Sequence, residues 1–316
     1  MRTLISRFHA WLPSSVDTRV RVLAIASLVV NIVIVGTGGA VRLTGSGLGC
    51  PTWPYCTADS FVPTAEMGIH GVIEFANRTL TGVLVIVALA LALSVLKMRK
   101  SRPELFRLSI AIGVGIILQA VIGGITVWTA VNPWVVGLHF VLSSALVAMA
   151  TVLVWRVYDG QRADGYAAPT PLRILTHVTS LALAITVVAG VLTTGSGPHA
   201  GDSGAARNGL NPEFMQHLHS WPAYVALGGT VLVLVWALAI RSSRTARWAG
   251  ILLVIEIAQI VVGITQARLG LPPLLVGIHM VLAVIAVGGL TAVVLSLRPR
   301  SVINPSVENA RETVAA

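Results

Sequence analysis

Leu274-Leu-Val-Gly-Ile-His279-Met-Val-Leu-Ala-Val-Ile-Ala-Val-Gly-Gly-Leu290-Thr-Ala-Val-Val-Leu-Ser-Leu297 runs without one charged side chain. Crossing the hydrocarbon core of a bilayer takes about 20 consecutive apolar residues in a helix, and this stretch supplies them. A soluble protein can hold one or two such runs, so the deciding question is whether the run recurs. It does, at about 22–41, 67–96, 106–128, 134–157, 172–193, 214–240 and 248–268. With 55% hydrophobic and 11% charged residues, the chain lacks the polar surface a water-soluble domain needs. Backbone groups cannot go unpaired in lipid, and the runs show no in/out alternation, so they are expected as helices and not as a barrel. The fold class is an all-α integral membrane protein with eight transmembrane helices.

The formal net charge of +10 would suit a nucleic-acid surface, but the cations are not gathered into one patch. Lys97, Arg99, Lys100, Arg102 and Arg107 fill the second connection, Arg156, Arg162 and Arg173 the fourth, Arg241, Arg244 and Arg247 the sixth, and Arg298, Arg300 and Arg311 the tail. The odd-numbered connections hold only Arg42, Arg207 and Arg268. By the positive-inside rule both termini are cytoplasmic in a multi-pass plasma-membrane protein, and 42–66, 129–133, 194–213 and 268–273 face outward. The first span follows Arg2, Arg7, Arg19 and Arg21, lacks a cleavage site, and reads as retained. Membrane lipid is the expected surrounding and no nucleic acid is expected as a partner. Both cysteines, Cys50 and Cys56, fall in the first outward loop. Their short separation, and the absence of any other cysteine, favour a bridge over two unpaired thiols.

Set against itself at an offset of 140, the chain aligns Gln119-Ala-Val-Ile-Gly123 with Gln259-Ile-Val-Val-Gly263, Pro133 with Pro273, and Val136-Gly-Leu-His139 with Val276-Gly-Ile-His279. At an offset of 150, Thr44-Gly-Ser-Gly47 matches Thr194-Gly-Ser-Gly197. Four spans per half start both halves on the same side. The expectation is therefore two four-helix bundles about a pseudo-two-fold axis along the membrane normal, 1–160 and 161–300, with a polar cytoplasmic tail at 301–316.

His70, His139, His219 and His279 each lie near the outer end of an even-numbered span, with His217 beside His219; His9, His177 and His199 lie elsewhere. One intramembrane histidine is often a packed residue bonded to a carbonyl. Repetition at one depth in four helices points instead to imidazoles that clamp a planar cofactor, with haem iron as the metal bound. A zinc site would call for three or four converging ligands, and no His-Glu-x-x-His spacing occurs. Span 2 adds Glu74, Asn77 and Arg78, with 70, 74 and 77 on one helix face. Glu74 and Arg78 read either as neutralising each other, or with Glu74 moving protons or steadying charge on a substrate. Glu256 reads as a structural carboxylate bonded to Gln259 or to a backbone group on a facing helix. Trp53, Trp128, Trp134 and Trp221 read as an interfacial belt.

The segment Gly39-Ala-Val-Arg-Leu-Thr-Gly-Ser-Gly-Leu-Gly-Cys50-Pro-Thr-Trp-Pro-Tyr-Cys56 resembles the first outward loop of haem A synthases. Ile73-Glu-Phe-Ala-Asn-Arg78 resembles that family's Glu-x-x-His-Arg motif, and Gln216-His-Leu-His219 and the histidines that begin spans 4 and 8 extend the likeness. The resemblance implies oxidation of the ring methyl of haem O to the formyl of haem A by two hydroxylations at one carbon. It implies a haem b held by His219 and His279 in the second half, and haem O as substrate beside His139 and the carboxylate of Glu74 in the first. It also implies a bridge between Cys50 and Cys56. Expected partners are haem O and haem A, a quinone or other electron donor, and the haem O synthase and terminal oxidase on either side of this step. The motif's histidine is replaced by Asn77, which is not an ordinary axial ligand. His70 lies about 10 Å outward along the same face, and is expected to pair with His139 as metal ligand; the alternative leaves His139 alone. His217 competes with His219, and the motif favours His219.

The main rival reading is a two-haem cytochrome that only passes electrons. A transporter on parallel repeats would place polar residues at mid-bilayer, whereas here they cluster outward. Polyprenyl transfer would call for paired aspartate motifs in the cytoplasmic connections.

Overall fold

A computed structural model describes residues 12–300. The leader with Arg2, Arg7 and His9, and the 301–316 tail with Arg311, lie outside the described residues. The chain forms α1 (Thr18–Leu43), α2 (Gly68–Ser94), α3 (Pro103–Trp128), α4 (Pro133–Asp159), α5 (Thr170–Ser196), α6 (Pro212–Ala239), α7 (Ser243–Arg268) and α8 (Pro273–Ser296). Single 3₁₀ turns at Ala65–Met67 and Leu96–Arg99 flank α2. All eight helices are long and apolar enough to span a bilayer, and the protein is a multi-pass membrane protein.

Helix starts follow local chemistry more than hydropathy. Pro103, Pro133, Pro171, Pro212 and Pro273 sit in first turns, where a missing N–H costs nothing. Asp17, Asn132 and Asn211 cap α1, α4 and α6 by accepting from Val20, Trp134 and Phe214 amides. α7 begins at Ser243, five residues before the apolar run at 248, because its first turn is helical but polar. Apolar side chains face the surroundings along the spans, Ile86 and Val254 each being 67% exposed, as lipid-facing surfaces require.

Within the first four helices each packs on the next, and α4 returns onto α1; the last four repeat this, with α8 returning onto α5. Between these sets, α4 meets α8, α1 meets α8, and α4 meets α5. One apolar core gathers Leu91, Leu105, Ile112 and Leu153, a second Leu172, Val233, Leu252 and Leu290, and a third, at the seam, Val35, Val147 and Val284.

The loops after α1, α3, α5 and α7 share one end. The Gly47 amide donates to Gly201 O at 2.8 Å, Arg42 reaches His199 O and Thr194 O, and His199 Nε2 meets Leu271 O at 2.8 Å. The sequence repeat extends to backbone conformation here. Val131 donates to Thr126 O and Leu271 to Gln266 O, both at 2.7 Å, and both residues are left-handed, with φ of 57° and 63°. The preceding residue is also left-handed in each turn, but it is Gly270 in the second half and Ala130 in the first. An L side chain in that region costs about 1–2 kcal/mol, against about 0.5–1 kcal/mol of extra unfolded-state freedom for glycine. Ala130→Gly is therefore expected to stabilise the protein by up to about 1 kcal/mol, read as a raised Tm in detergent; a lowered Tm would contradict the strain argument.

Candidate functional site

α6 and α8 bring His219 and His279 together with ring centroids 6.1 Å apart and planes 80° from parallel. His219 Nδ1 lies 2.9 Å from Thr186 O on α5. A carbonyl only accepts, so Nδ1 carries the proton and Nε2 keeps its lone pair, the state a metal ligand needs. His279 Nδ1 is buried and makes no well-formed hydrogen bond, with the Gln259 backbone as its polar neighbour. Glycines make room for both rings: a methyl on Gly190 would stand 2.8 Å from His219 Cε1, and one on Gly263 would stand 3.2 Å from His279 Cε1. With metal–nitrogen bonds of about 2 Å and an imidazole radius of about 1.1 Å, two rings on opposite faces of one iron have centroids about 6 Å apart. The residues present fit a haem iron held from both sides.

The first half carries part of the same construction. His139 on α4 matches His279 in the repeat, and its Nδ1 is likewise buried without a well-formed hydrogen bond. Gly123 faces it as Gly263 faces His279, with 3.6 Å from a Gly123 methyl to His139 Cε1. Gln119 donates from Nε2 to His139 O at 2.9 Å and to Ser143 Oγ, bracing α3 on α4. On α2, Asn77 Oδ1 accepts from Thr37 Oγ1 of α1 at 2.7 Å. His70 is exposed, is hydrogen-bonded through Nδ1 to Ser46 Oγ at 2.9 Å, and lines a cavity of about 700 Å³ with Arg42, His199 and Asp202. His217 is exposed on α6, whereas His219 turns inward.

Glu74 and Arg78 serve the cysteine loop. Glu74 is 5% exposed; its Oε2 accepts from the Cys50 amide at 2.6 Å, and its Oε1 pairs with Arg78 at 2.5 Å. Arg78 donates onward to Cys50 O, Thr52 O and Tyr55 O at 2.9–3.0 Å. Cys50 and Cys56 are fully buried, sulfur against sulfur. Trp53 lies flat enough on α3 that a methyl on Gly124 would meet its ring at 2.5 Å, and its ring meets Trp128 edge-on at 5.4 Å. Trp53 is thus packed against α3, while Trp128, Trp134 and Trp221 are exposed. Glu256 is bonded to Thr230 Oγ1 at 3.0 Å, not to Gln259 or a backbone group.

Sequence reading missed Thr186, Thr37 and Gly190. The signal for Gly123 and Gly263 was there, since both fall in the repeated Gln-x-x-x-Gly.

Fold and site together define a multi-pass membrane protein with paired intramembrane imidazoles able to hold haem. A family model described as cytochrome oxidase assembly protein (COX15-CtaA) matches residues 21–294, and the chain belongs to that family. Similar proteins include the heme A synthase of Staphylococcus epidermidis, 29% identical over 67% of this chain and 70% of that protein. The heme A synthase of Bacillus pumilus is 35% identical over 46% of this chain and 47% of that protein. That of Listeria welshimeri is 28% identical over 54% of this chain and 57% of that protein.

Proposed function

We propose that the chain is a haem A synthase, a membrane oxidoreductase that converts the ring methyl of haem O to the formyl of haem A by successive hydroxylations at one carbon. Each hydroxylation is a two-electron oxidation that replaces a C–H bond by C–O–H, with the oxidant supplied from outside the chain, and loss of water from the doubly hydroxylated carbon leaves the formyl. The observation that carries the reading is the His219–His279 pair at 6.1 Å, in a family whose similar members bear that name. Residues 161–300 form the half that holds haem b on these two histidines, and residues 1–160 the half that takes haem O beside His139. The cysteine-loop end faces outward and both termini are cytoplasmic, as the cation distribution supports. Cys50 and Cys56 form a disulfide there.

Haem b supplies one-electron transfer when bound. The chain's own part is positional. Thr186 O holds the proton of His219 on Nδ1 and so keeps Nε2 free. Gln119 fixes the carbonyl of His139, and Trp53 of the cysteine loop packs on α3 at Gly124. Glu74, with both oxygens committed to Cys50 and Arg78, acts as a positioning residue for this loop. The electron donor, a quinone or another carrier, and the flanking haem O synthase and terminal oxidase are the partners this role requires.

Purified protein expressed with a haem O supply is expected to carry haem b together with haem A or its hydroxylated precursor, measured by haemochrome spectra and chromatography of extracted haem. Haem b alone, with haem O unconverted under a competent electron supply, would favour an electron carrier instead.

Gly190→Ala tests the site with one methyl. The substitution is expected to displace His219, to lower haem b occupancy at least several-fold, and to leave the total helix signal unchanged by circular dichroism. Full occupancy in the variant would show that the close approach is not needed.

A further inference from the structure

The two halves share Gln119 with Gln259, Gly123 with Gly263 and His139 with His279, yet they differ at the opposing helix. In the second half His219 rests against Gly190 of α5 and bonds the Thr186 carbonyl. In the first half, Asn77 of α2 rests against Gly38 of α1, its Oδ1 3.9 Å from a methyl placed there, and accepts from Thr37. Asn77 thus faces α1 from α2 as His219 faces α5 from α6. Its oxygen already accepts one hydrogen bond, an amide oxygen is not among the ordinary axial ligands of haem iron, and an amide nitrogen has no lone pair to give a metal.

Among the described residues no other imidazole is placed to substitute. His70 is exposed and tied to Ser46, and His199 bonds Leu271 O. His177 and His217 are exposed on α5 and α6. Resting on the haem-binding reading above, we infer that the two sites differ in coordination number: the second half holds its haem by two imidazoles, and the first by His139 alone, with an open axial position on the side of Asn77. The asymmetry assigns the halves different chemistry. A closed pair of ligands restricts a haem to electron transfer, and an open position admits a small exogenous ligand.

The test reads ligand state and not turnover. In dithionite-reduced full-length protein carrying both haems, carbon monoxide is expected to bind about half of the haem. The oxidised protein should show high-spin and low-spin signals in equal amounts by electron paramagnetic resonance. Asn77→His is expected to abolish carbon monoxide binding and give an all-low-spin spectrum, and His70→Ala to leave both spectra as in the wild type. A wild-type protein that is wholly low-spin and inert to carbon monoxide overturns the inference, as does new carbon monoxide binding in His70→Ala, which would make His70 the second ligand. Because the wild-type and His70→Ala spectra decide by themselves, poor folding of Asn77→His does not spare the inference. A protein that binds no haem at all would overturn the underlying reading, a result distinct from two low-spin haems.

Discussion

Arg78→Leu is expected to free the 50–56 loop and to destabilise the protein by roughly 3–5 kcal/mol, the usual cost of stripping one partner from a buried ion pair. Arg78 does more than neutralise Glu74. Its guanidinium also bonds three loop carbonyls, those of Cys50, Thr52 and Tyr55, and the planar fork of donors is what lets one side chain serve so many acceptors. Removing it leaves a carboxylate, 5% exposed, with only the Cys50 amide as a partner, and leaves the loop backbone unsatisfied. The measurements are Tm in detergent and proteolysis between residues 50 and 61. Arg78→Lys should fall between the variant and the wild type, since a lysine restores the charge but not the fork. Glu74→Gln should cost less, about 1–2 kcal/mol, because an acceptor oxygen remains and Arg78 keeps its carbonyls. If Arg78→Leu melts with the wild type and its loop resists protease equally well, the staple has been misread. If Glu74→Gln abolishes turnover while loop and Tm are untouched, Glu74 acts on substrate directly.

Alanine at His219 or at His279 is expected to cost at least on the order of 100-fold in haem b occupancy or turnover. Each substitution removes one of two imidazoles whose centroids are 6.1 Å apart, and neither ring has a described neighbour able to replace it. The space left is imidazole-shaped, walled by Gly190 or Gly263, so added imidazole should restore the low-spin haem spectrum in part. His217→Ala is the control, since its ring is exposed two residues away; it should leave the spectrum unchanged. A wild-type spectrum in His219→Ala would move the site elsewhere.

The eight spans were readable from hydropathy because lipid imposes one requirement, apolar length, on every helix. Their ends were not, since a polar first turn such as Ser243-Arg-Thr-Ala-Arg247 is helical by capping and propensity and carries no apolar signal. His219 and His279 were found as candidates from their shared depth, but sequence spacing has no access to ring separation or to the carbonyl of Thr186 that sets the tautomer. The role of Glu74 depended on contacts across 24 residues, to a loop whose path no periodicity encodes. Asn77 was conspicuous only against the family motif; its bond to Thr37 is a matter of how α1 and α2 face each other.

The seam between the first four helices and the last four is fastened along its whole height. At one end Arg42 and Gly47 bond to 194–201, in the middle Val35, Val147 and Val284 pack together, and at the other end Arg244 of α7 pairs with Asp159 of α4 at 2.6 Å. Rocking of one repeat against the other, the motion by which duplicated transporters expose a site alternately to each face, would have to break all three fastenings in every cycle. On the proposed reading of a haem in each half, the spacing between the two would then be set when the chain folds, and electron transfer across it would not wait on a conformational change.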